Sequence, residues 1–398
     1  MSQDAPTAEA EYLTELRKLA GDLVHPWDHG QTLASLSSAR LKAVRAAAMA
    51  LEKLVQTKTT GAPVKQRAAP KRSARTAEDD LADFDPALES QLGITLDDLA
   101  RTLLLDSVTG FGPMKIKQLA DSGRSVASIL DRPEELPIPG KTGDKLRDGL
   151  RAITDEERHT VRARAARQMT RARELNGEIL TYGHPHYPQN VLMSNNPAPV
   201  LYAVGDCSVL REMRTVACVG SRAIRAPYAA LLRDFATFAV GEGFAVVSGF
   251  AIGADRIAHE AALSAGGATV CVMPNGLDLP YPPEHKSLYA EFLERPGVVF
   301  MSEFGFGVRA STMNLQKRNK MIVAAARGVL VGQSDVKGGA MNAFRASVEQ
   351  RKPIATFQAD EGKNTSGNDL IGHEVKVVAT TLPVATDRVA WTQWLSTL

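Results

Sequence analysis

The chain contains few cysteines, few aromatic residues and no long hydrophobic run. Its three cysteines, Cys207, Cys218 and Cys271, have no metal-ligand spacing, so we expect buried thiols in a reducing cytoplasm. No stretch of about 18 apolar residues is present, and we expect no membrane span. The first residues lack the basic and then apolar pattern of a signal peptide. These absences predict a cytoplasmic protein without a metal or other cofactor.

The composition is that of a globular protein with more than one domain. The 398 residues exceed the size of one ordinary core, and 44% of them are hydrophobic and 23% charged. The net charge of +2 is too small to indicate a partner. The distribution of charge along the chain is more informative.

The first 79 residues are predicted as a helical extension and a linker. Residues 1–56 contain two amphipathic patterns, Ala8–Leu23 and Leu33–Gln56, which predict a helical extension that could bind a partner protein. Residues 57–79 are predicted as a basic flexible linker. The linker is either a solvated tether or a polycation that adds non-specific affinity for phosphate. Its basic residues are Lys58, Lys65, Arg67, Lys71, Arg72 and Arg75.

Residues 80–154 are predicted as a small all-α domain. The stretch Leu103–Ala120 has a Gly-Phe-Gly-Pro turn between two helical patterns, and Leu136–Gly140 precedes a further short helix. Both resemble helix–hairpin–helix motifs, in which glycine turns direct backbone N–H groups at a DNA phosphate. The motifs are either structural or secondary DNA contacts, with Gly110, Gly112 and Lys115 as candidates.

Residues 155–180 are predicted as an arginine-rich connecting helix. Six arginines and no acid occur between positions 158 and 173. The helix either links two domains or offers a face for a nucleic-acid backbone. Arg164 and Arg167 are the candidate contacts.

Residues 181–380 show an alternating strand and helix pattern. Two strand signals, Thr215–Val219 and Phe244–Val247, flank a helical pattern and end at the small-residue turns Gly220–Arg222 and Ser248–Gly249. This βαβ unit predicts a parallel sheet, and its turns predict an anion-binding platform. With four further strands, six parallel strands form a doubly wound α/β sheet. Residues 381–398 are predicted as a short tail without a winged helix.

The strand ends are richer in cations than in catalytic groups. The sequence has neither a P-loop lysine motif nor a G-x-G-x-x-G after the first strand, and no catalytic triad is readable. Asp255 and Glu303 form a candidate carboxylate pair. Arg222, Arg318 and Lys320 instead favour the binding of a polyanion.

The motifs of this region resemble, in order, those of the DprA (Smf) family of bacterial single-stranded-DNA-binding proteins. The similarity covers about Tyr182 to Ile371. The matching motifs are HYPQNVL, PAPVLYAVGD, VGSR, SGFAIGAD, AHEAAL, GLDLPYP, RNKMI and SGNDLI. The preceding helical segment is similar to the helix–hairpin–helix or SAM-like domain that is frequent in this family.

The resemblance implies a Rossmann-like domain that binds single-stranded DNA in a basic pocket, forms a homodimer and loads a RecA-type recombinase during natural transformation. It implies no enzymatic activity. The nucleic-acid-binding residues that it implies are Gly220, Ser221, Arg222, Ser248, Gly249, Lys286, Arg318, Asn319, Lys320 and Lys337.

Departures from the family pattern, such as Ile252, Ala254 and Pro283, indicate a divergent member. The added amino-terminal segments suggest an accessory role in a phage-defence or toxin–antitoxin operon. Two alternatives remain open. One is a nucleotide-binding or nucleotide-hydrolysing enzyme that uses Glu303, and the other is an interaction protein that neutralises a partner through residues 1–56.

Overall fold

The computed structural model describes residues 76–123, 126–361 and 364–398. The predicted helices of residues 1–56 and most of the predicted linker lie outside the described residues.

Seven α-helices precede the sheet in the described residues. Threonine caps begin the first and the last of them: Thr76 and Thr154 each accept the backbone N–H of the third helical residue, whose carboxylate reaches back to the cap. The helices are α1 (Ala77–Ala82), α2 (Ala87–Leu92), α3 (Leu96–Ser107), α4 (Pro113–Asp121), α5 (Val126–Asp131), α6 (Gly140–Arg151) and α7 (Asp155–Glu174).

The predicted helix–hairpin–helix turn lies between α3 and α4. Gly110 has φ +87°, a left-handed conformation that suits glycine, and Gly112 caps α4 with Pro113 in its first turn. Phe111 between the glycines is buried and belongs to the core of the helical region. In the second motif the helix begins at Gly140, two residues before the predicted start near Thr142.

Nine strands form one mainly parallel sheet within the described part of the chain, which confirms the predicted α/β class. The order is β1-β2-β6-β5-β4-β3-β7-β8-β9. The strands are β1 (Glu178–Thr181), β2 (Val200–Gly205), β3 (Thr215–Val219), β4 (Ala245–Ser248), β5 (Thr269–Val272), β6 (Val298–Ser302), β7 (Gly328–Val331), β8 (Ile354–Phe357) and β9 (Ala379–Leu382).

The sheet is larger than the six parallel strands predicted from the sequence. Strands β1 and β2 pair antiparallel with each other, and β2 pairs antiparallel with β6. Strand β9 adds a parallel edge next to β8. The chain leaves β3 toward β4 on one side and returns to β7 on the other, so the topological switch point lies between β3 and β7.

Helices cover the sheet, and those after β3 begin at the carboxyl ends of the strands. They are α8 (Gln189–Leu192), α9 (Ala226–Gly241), α10 (Ala254–Ser264), α11 (Lys286–Leu293), α12 (Thr312–Ala324), α13 (Met341–Gln350), α14 (Ser366–Gly372) and α15 (Arg388–Leu395). The strands between β3 and β8 are buried on both faces, as parallel strands are.

The last eighteen positions, 381–398, contain the end of β9 and helix α15. Trp391 and Trp394 of this helix are buried and pack against Phe235 of α9, with ring centroids 5.6 and 5.7 Å apart. The segment predicted as a tail thus contributes to the core. No helix within the described ranges is both long and apolar enough to cross a membrane.

Candidate functional site

A cavity of about 480 Å³ lies at the switch point of the sheet. The turn after β3, the segment after β7 and the first turns of α10, α12 and α13 line it. Each of these helices directs the positive end of its dipole toward this side of the sheet. The position and the helix ends therefore favour an anionic ligand.

The turn after β3 is closely packed against the segment that follows β7. A methyl group on Gly220 would lie 2.8 Å from Cβ of Ala254 and 3.2 Å from the carbonyl oxygen of Gln333. The N–H of Ser221 donates to the same carbonyl at 2.8 Å, and its Oγ accepts the N–H of Ala223 at 3.1 Å. This packing fixes the backbone on which Arg222 stands.

Arg222 is the exposed cation of the cavity. Its side chain lines the cavity and forms no ion pair within the described residues. Burial lowers the pKa of Arg318, and electrostatic repulsion from the nearby Arg222 lowers it further. Two guanidinium groups thus face one cavity, and one of them is free.

The turn after β4 is satisfied by the protein itself. Oδ2 of Asp255 accepts the N–H groups of Gly249 at 3.2 Å and Ala251 at 3.3 Å, and the hydroxyl of Ser248 donates to the carbonyl oxygen of Cys218 at 2.6 Å. Ser248 and Gly249 are buried. The hydroxyl of Ser248 and the N–H of Gly249 therefore donate to groups inside the fold. The anion that this turn binds is the carboxylate of Asp255.

Arg318 forms the floor of the cavity rather than an exposed contact. Its side chain is buried, and its Nη1 donates to the carbonyl oxygens of Gly249 and Val272, the latter at 3.1 Å. Its buried Nε has no hydrogen-bond partner within the described residues. Burial raises the pKa of Asp255, while the nearby Arg318 acts in the opposite direction. The guanidinium and the carboxylate thus stabilise each other in the ionised state.

The next residues of α12 are partly engaged. Nζ of Lys320 lies 2.9 Å from Glu349 of α13, and both side chains are more than half exposed. Asn319 lines the cavity and its Nδ2 donates to the carbonyl of Gly339 at 3.5 Å. Asn319 is therefore at the cavity, whereas Lys320 lies outside it and is neutralised by a weak surface pair.

Neither Lys286 nor Lys337 lines the cavity. Both are exposed and form no ion pair in the part of the chain that the structure describes. Lys337 precedes Gly338, which lines the cavity. Lys286 follows His285, whose Nδ1 contacts the carbonyl oxygen of Phe250 in the turn after β4 at 3.0 Å. Lys337 thus offers exposed positive charge next to a residue of the cavity, and Lys286 offers it near the turn after β4.

The arginine-rich face of α7 is largely neutralised. Arg162, Arg167 and Arg173 form ion pairs with Asp97, Asp80 and Asp85, at 2.8–3.2 Å. Arg171 pairs with Glu174, and Arg158 donates to a backbone carbonyl of α5. Arg164 is exposed and has no ion pair within the described ranges. These contacts favour the linking role of the helix over a continuous surface for nucleic acid.

The glycine turn of the helical region is also partly engaged. Nζ of Lys115 donates to the carbonyl oxygen of Gly110 at 2.6 Å, so this ammonium caps its own turn. A methyl group added at Gly112 would have no heavy atom within 4 Å.

Polar residues that sequence reasoning missed complete the cavity rim. They follow β7 or β8, or lie near the start of α12 or α13, which is a signal that the topology could have provided. They are Gln316, Ser334, Asp335, Asn342 and Asn364.

The candidate enzymatic carboxylate lies outside this cavity. Glu303 is 8% exposed and pairs with Nζ of Lys317 at 2.7 Å. Burial raises its pKa, and Lys317 opposes that effect. Asp255 lines the cavity and Glu303 does not, so the two do not form a carboxylate pair around one substrate site.

The chain is similar to a known protein family and to solved structures of that family. The family model described as DNA recombination-mediator protein A matches residues 178–387, slightly more than half of the chain. Protein Smf of Synechocystis is 33% identical over 171 residues, which cover 42% of each protein. The DNA processing protein DprA of Streptococcus pneumoniae is 28% identical over 194 residues, covering 48% of this chain and 67% of the relative.

The fold extends beyond that sequence match. The X-ray structure of DprA from Streptococcus pneumoniae superimposes with a TM-score of 0.58 at 19% identity, covering 75% of this chain and 98% of that one. The chain spans less than half of the Smf proteins of Synechocystis and Escherichia coli, 42% and 47% of their lengths.

Proposed function

Because the chain belongs to the DNA recombination-mediator protein A family, we propose that it is a DNA-processing protein that holds single-stranded DNA at the switch-point cavity. The observation that carries the proposal is the exposed guanidinium of Arg222, which has no ion-pair partner among the described residues and lies near the buried Arg318. The first turns of three helices at the same cavity favour phosphate. The family resemblance and this electrostatic arrangement point to the same ligand.

The bound strand contacts the cavity through its phosphates and leaves its bases unread. Arg222 supplies the central contact, and the free ammonium groups of Lys286 and Lys337 extend the positive surface. The exposed ion pair between Lys320 and Glu349 contributes only about 0–1 kcal/mol. A phosphate of the bound strand can therefore replace Glu349 as the partner of Lys320. Such contacts predict affinity that depends on salt and little on sequence.

The assignment divides the ten sequence-predicted residues into two groups. The residues that serve the strand directly are Gly220, Ser221, Arg222, Asn319, Lys286, Lys320 and Lys337. Ser248, Gly249 and Arg318 build the floor that positions them. Gly110, Gly112, Lys115, Arg164 and Arg167 remain secondary candidates, of which Arg164 has the most available charge.

We infer the oligomeric state and the protein partner from the family resemblance. We infer that the protein forms a homodimer through the Rossmann-like domain and hands the strand to a RecA-type recombinase. An accessory role in phage defence or with an operon partner would use the same DNA contact.

A titration of fluorescein-labelled oligonucleotides tests the proposal. Full-length protein is added to a single strand and to the matching duplex at about 50 and 200 mM salt, and anisotropy is recorded. We expect tighter binding of the single strand and a clear loss of affinity at the higher salt. Equal binding of both forms, or no binding, would contradict the proposal.

A further inference from the structure

Three groups that commonly bind metals converge at the beginning of the sheet, among residues that do not line the cavity. Glu178 is the first residue of β1, and His184 and His186 lie in the turn that follows this strand. One donor atom from each residue lies within 4.8 Å of the others. The resemblance to known proteins assigned no role to these residues, and the DNA proposal does not use them.

The backbone of the turn is fixed before any ligand binds. The N–H of His184 donates to the carbonyl oxygen of Thr181 at 3.0 Å, and the N–H of Tyr187 donates to the carbonyl of His184 at 2.9 Å. Tyr187 is buried, and its hydroxyl donates to the carbonyl of Ala198 at 2.5 Å. The two histidines are therefore held on an anchored turn beside an anchored strand.

The side chains already interact. Nδ1 of His186 lies 2.7 Å from Oε2 of Glu178, and the two histidine rings are 5.7 Å apart in an edge-to-face arrangement. The side chains of His186 and Glu178 are 27% and 31% exposed, which leaves them accessible to an ion from solvent. A surface ion pair alone would explain the contact between His186 and Glu178. It would not explain why the ring of His184 lies beside the same two groups.

We propose that Glu178, His184 and His186 bind one Zn²⁺ ion, with solvent in the remaining position. Two imidazoles and one carboxylate are donors that zinc prefers, at about 2.0–2.2 Å from the metal. Donors around a tetrahedral ion at that distance lie roughly 3.4 Å apart. Adjustments of about an ångström in side-chain position therefore bring the present groups into coordination geometry.

Cys207 is a neighbour of the site. Its side chain is buried, and both this burial and the nearby carboxylate of Glu178 raise the pKa of the thiol. Cys207 is not one of the three residues whose donors converge. We therefore assign three protein ligands and expect the thiol to orient Glu178.

Zinc at this position joins strand β1 to its turn. The same turn contacts the helical region, since the hydroxyl of Tyr182 lies 3.4 Å from the carbonyl of Pro113 and 2.7 Å from that of Pro197. A metal that binds the folded state more tightly than the unfolded chain raises the melting temperature. The site thus stabilises the junction between the helical region and the sheet.

Zinc binding is measured with tag-free, full-length protein that has been dialysed against a chelator. ZnCl₂ is titrated in competition with a colorimetric zinc indicator, and the melting temperature is recorded with and without metal. We expect one equivalent to bind, the melting temperature to rise, and the double variant His184→Gln/His186→Gln to lose at least about tenfold in affinity and the whole thermal shift. Glu178→Gln should weaken binding independently.

Two controls separate this site from other histidines. His373→Gln removes an exposed histidine elsewhere, and His25→Gln/His29→Gln removes the pair near the amino terminus. Both should bind zinc as the wild type does. With Co²⁺ as a probe, the wild type and Cys207→Ser should both show the visible bands of a tetrahedral complex, and the double variant should lack them. Equal zinc affinity in the wild type and the double variant, or no binding by the wild type, would overturn the proposal.

Discussion

Arg318 donates a hydrogen bond to the carbonyl oxygen of Gly249 and thereby joins helix α12 to the turn after β4. The backbone of Gly249 also donates to Asp255, so this glycine lies between the buried guanidinium and the buried carboxylate. The motif that the resemblance associates with DNA binding therefore also holds the fold together. Residues that a motif groups together thus have two different physical tasks.

Gly249→Ala should destabilise the protein. A methyl group there would lie 2.1 Å from Nη1 of Arg318 and 2.8 Å from Oδ2 of Asp255. Overpacking of this kind costs about 1–3 kcal/mol, and a urea titration would measure it. Gly339→Ala is the matched control, because a methyl group at that cavity position meets nothing within 4 Å. Equal stability of the two variants would contradict the packing described here.

Arg318→Met should reduce the free energy of unfolding by about 3 kcal/mol, because it leaves Asp255 buried without its cationic partner. Lys320→Met, two residues along the same helix, should change it by less than about 1 kcal/mol. Chemical denaturation of both variants gives the comparison. If Arg318 only contacted DNA, the two variants would be equally stable.

The resemblance of the motifs predicted where Arg318 lies, but it could not predict where its side chain points. Burial depends on Gly249 and Val272, which are 69 and 46 residues away. The same limit applies to α7. Its arginines gain partners 65 to 88 residues distant, and local sequence shows a run of positive charge where the fold shows ion pairs.

The sheet was predictable where each strand is buried on both faces. Continuous apolar runs such as Thr215–Val219 indicate such strands directly. Strand β9 at the edge has only one fully buried residue, Leu382, so its pattern gives a weak signal. Strand β1 begins at Glu178, within residues 155–180 that the sequence predicted as a connecting helix, and the helix itself ends at Glu174.

Stability should fall on the acid side partly because of His259. Burial lowers the pKa of this imidazole to about 3, and the neutral ring accepts the N–H of Phe250 at 3.3 Å. The unfolded chain binds a proton near pH 6.5, so this contribution is lost as the pH falls from about 6.5 toward 3. Between about pH 6.5 and pH 4 the loss amounts to roughly 3 kcal/mol.

The variant His259→Gln should show a shallower decline of stability over that range in urea titrations at several pH values. His373→Gln, which removes an 80% exposed histidine, should retain the wild-type slope. An unchanged slope in His259→Gln would argue against a buried neutral imidazole.

Trp391→Ala should destabilise the fold by about 3–5 kcal/mol, since it removes a buried aromatic side chain that packs on Phe235 and Phe238. Val389→Ala in the same helix removes an exposed side chain and should have an effect within about 0.5 kcal/mol. Urea unfolding followed by circular dichroism measures both. A small effect of Trp391→Ala would mean that α15 is not part of the core.

The most direct measurement is the affinity of Arg222→Glu for a labelled single-stranded oligonucleotide, compared with Arg211→Glu. Arg222 lines the cavity, whereas Arg211 is also exposed but precedes β3 and lies at the opposite end of that strand. We predict that Arg222→Glu weakens binding by about tenfold or more at low salt and reduces the salt dependence, while Arg211→Glu changes affinity by less than about threefold. Equal losses in both variants, or full affinity in Arg222→Glu, would contradict the assignment of DNA binding to the switch-point cavity.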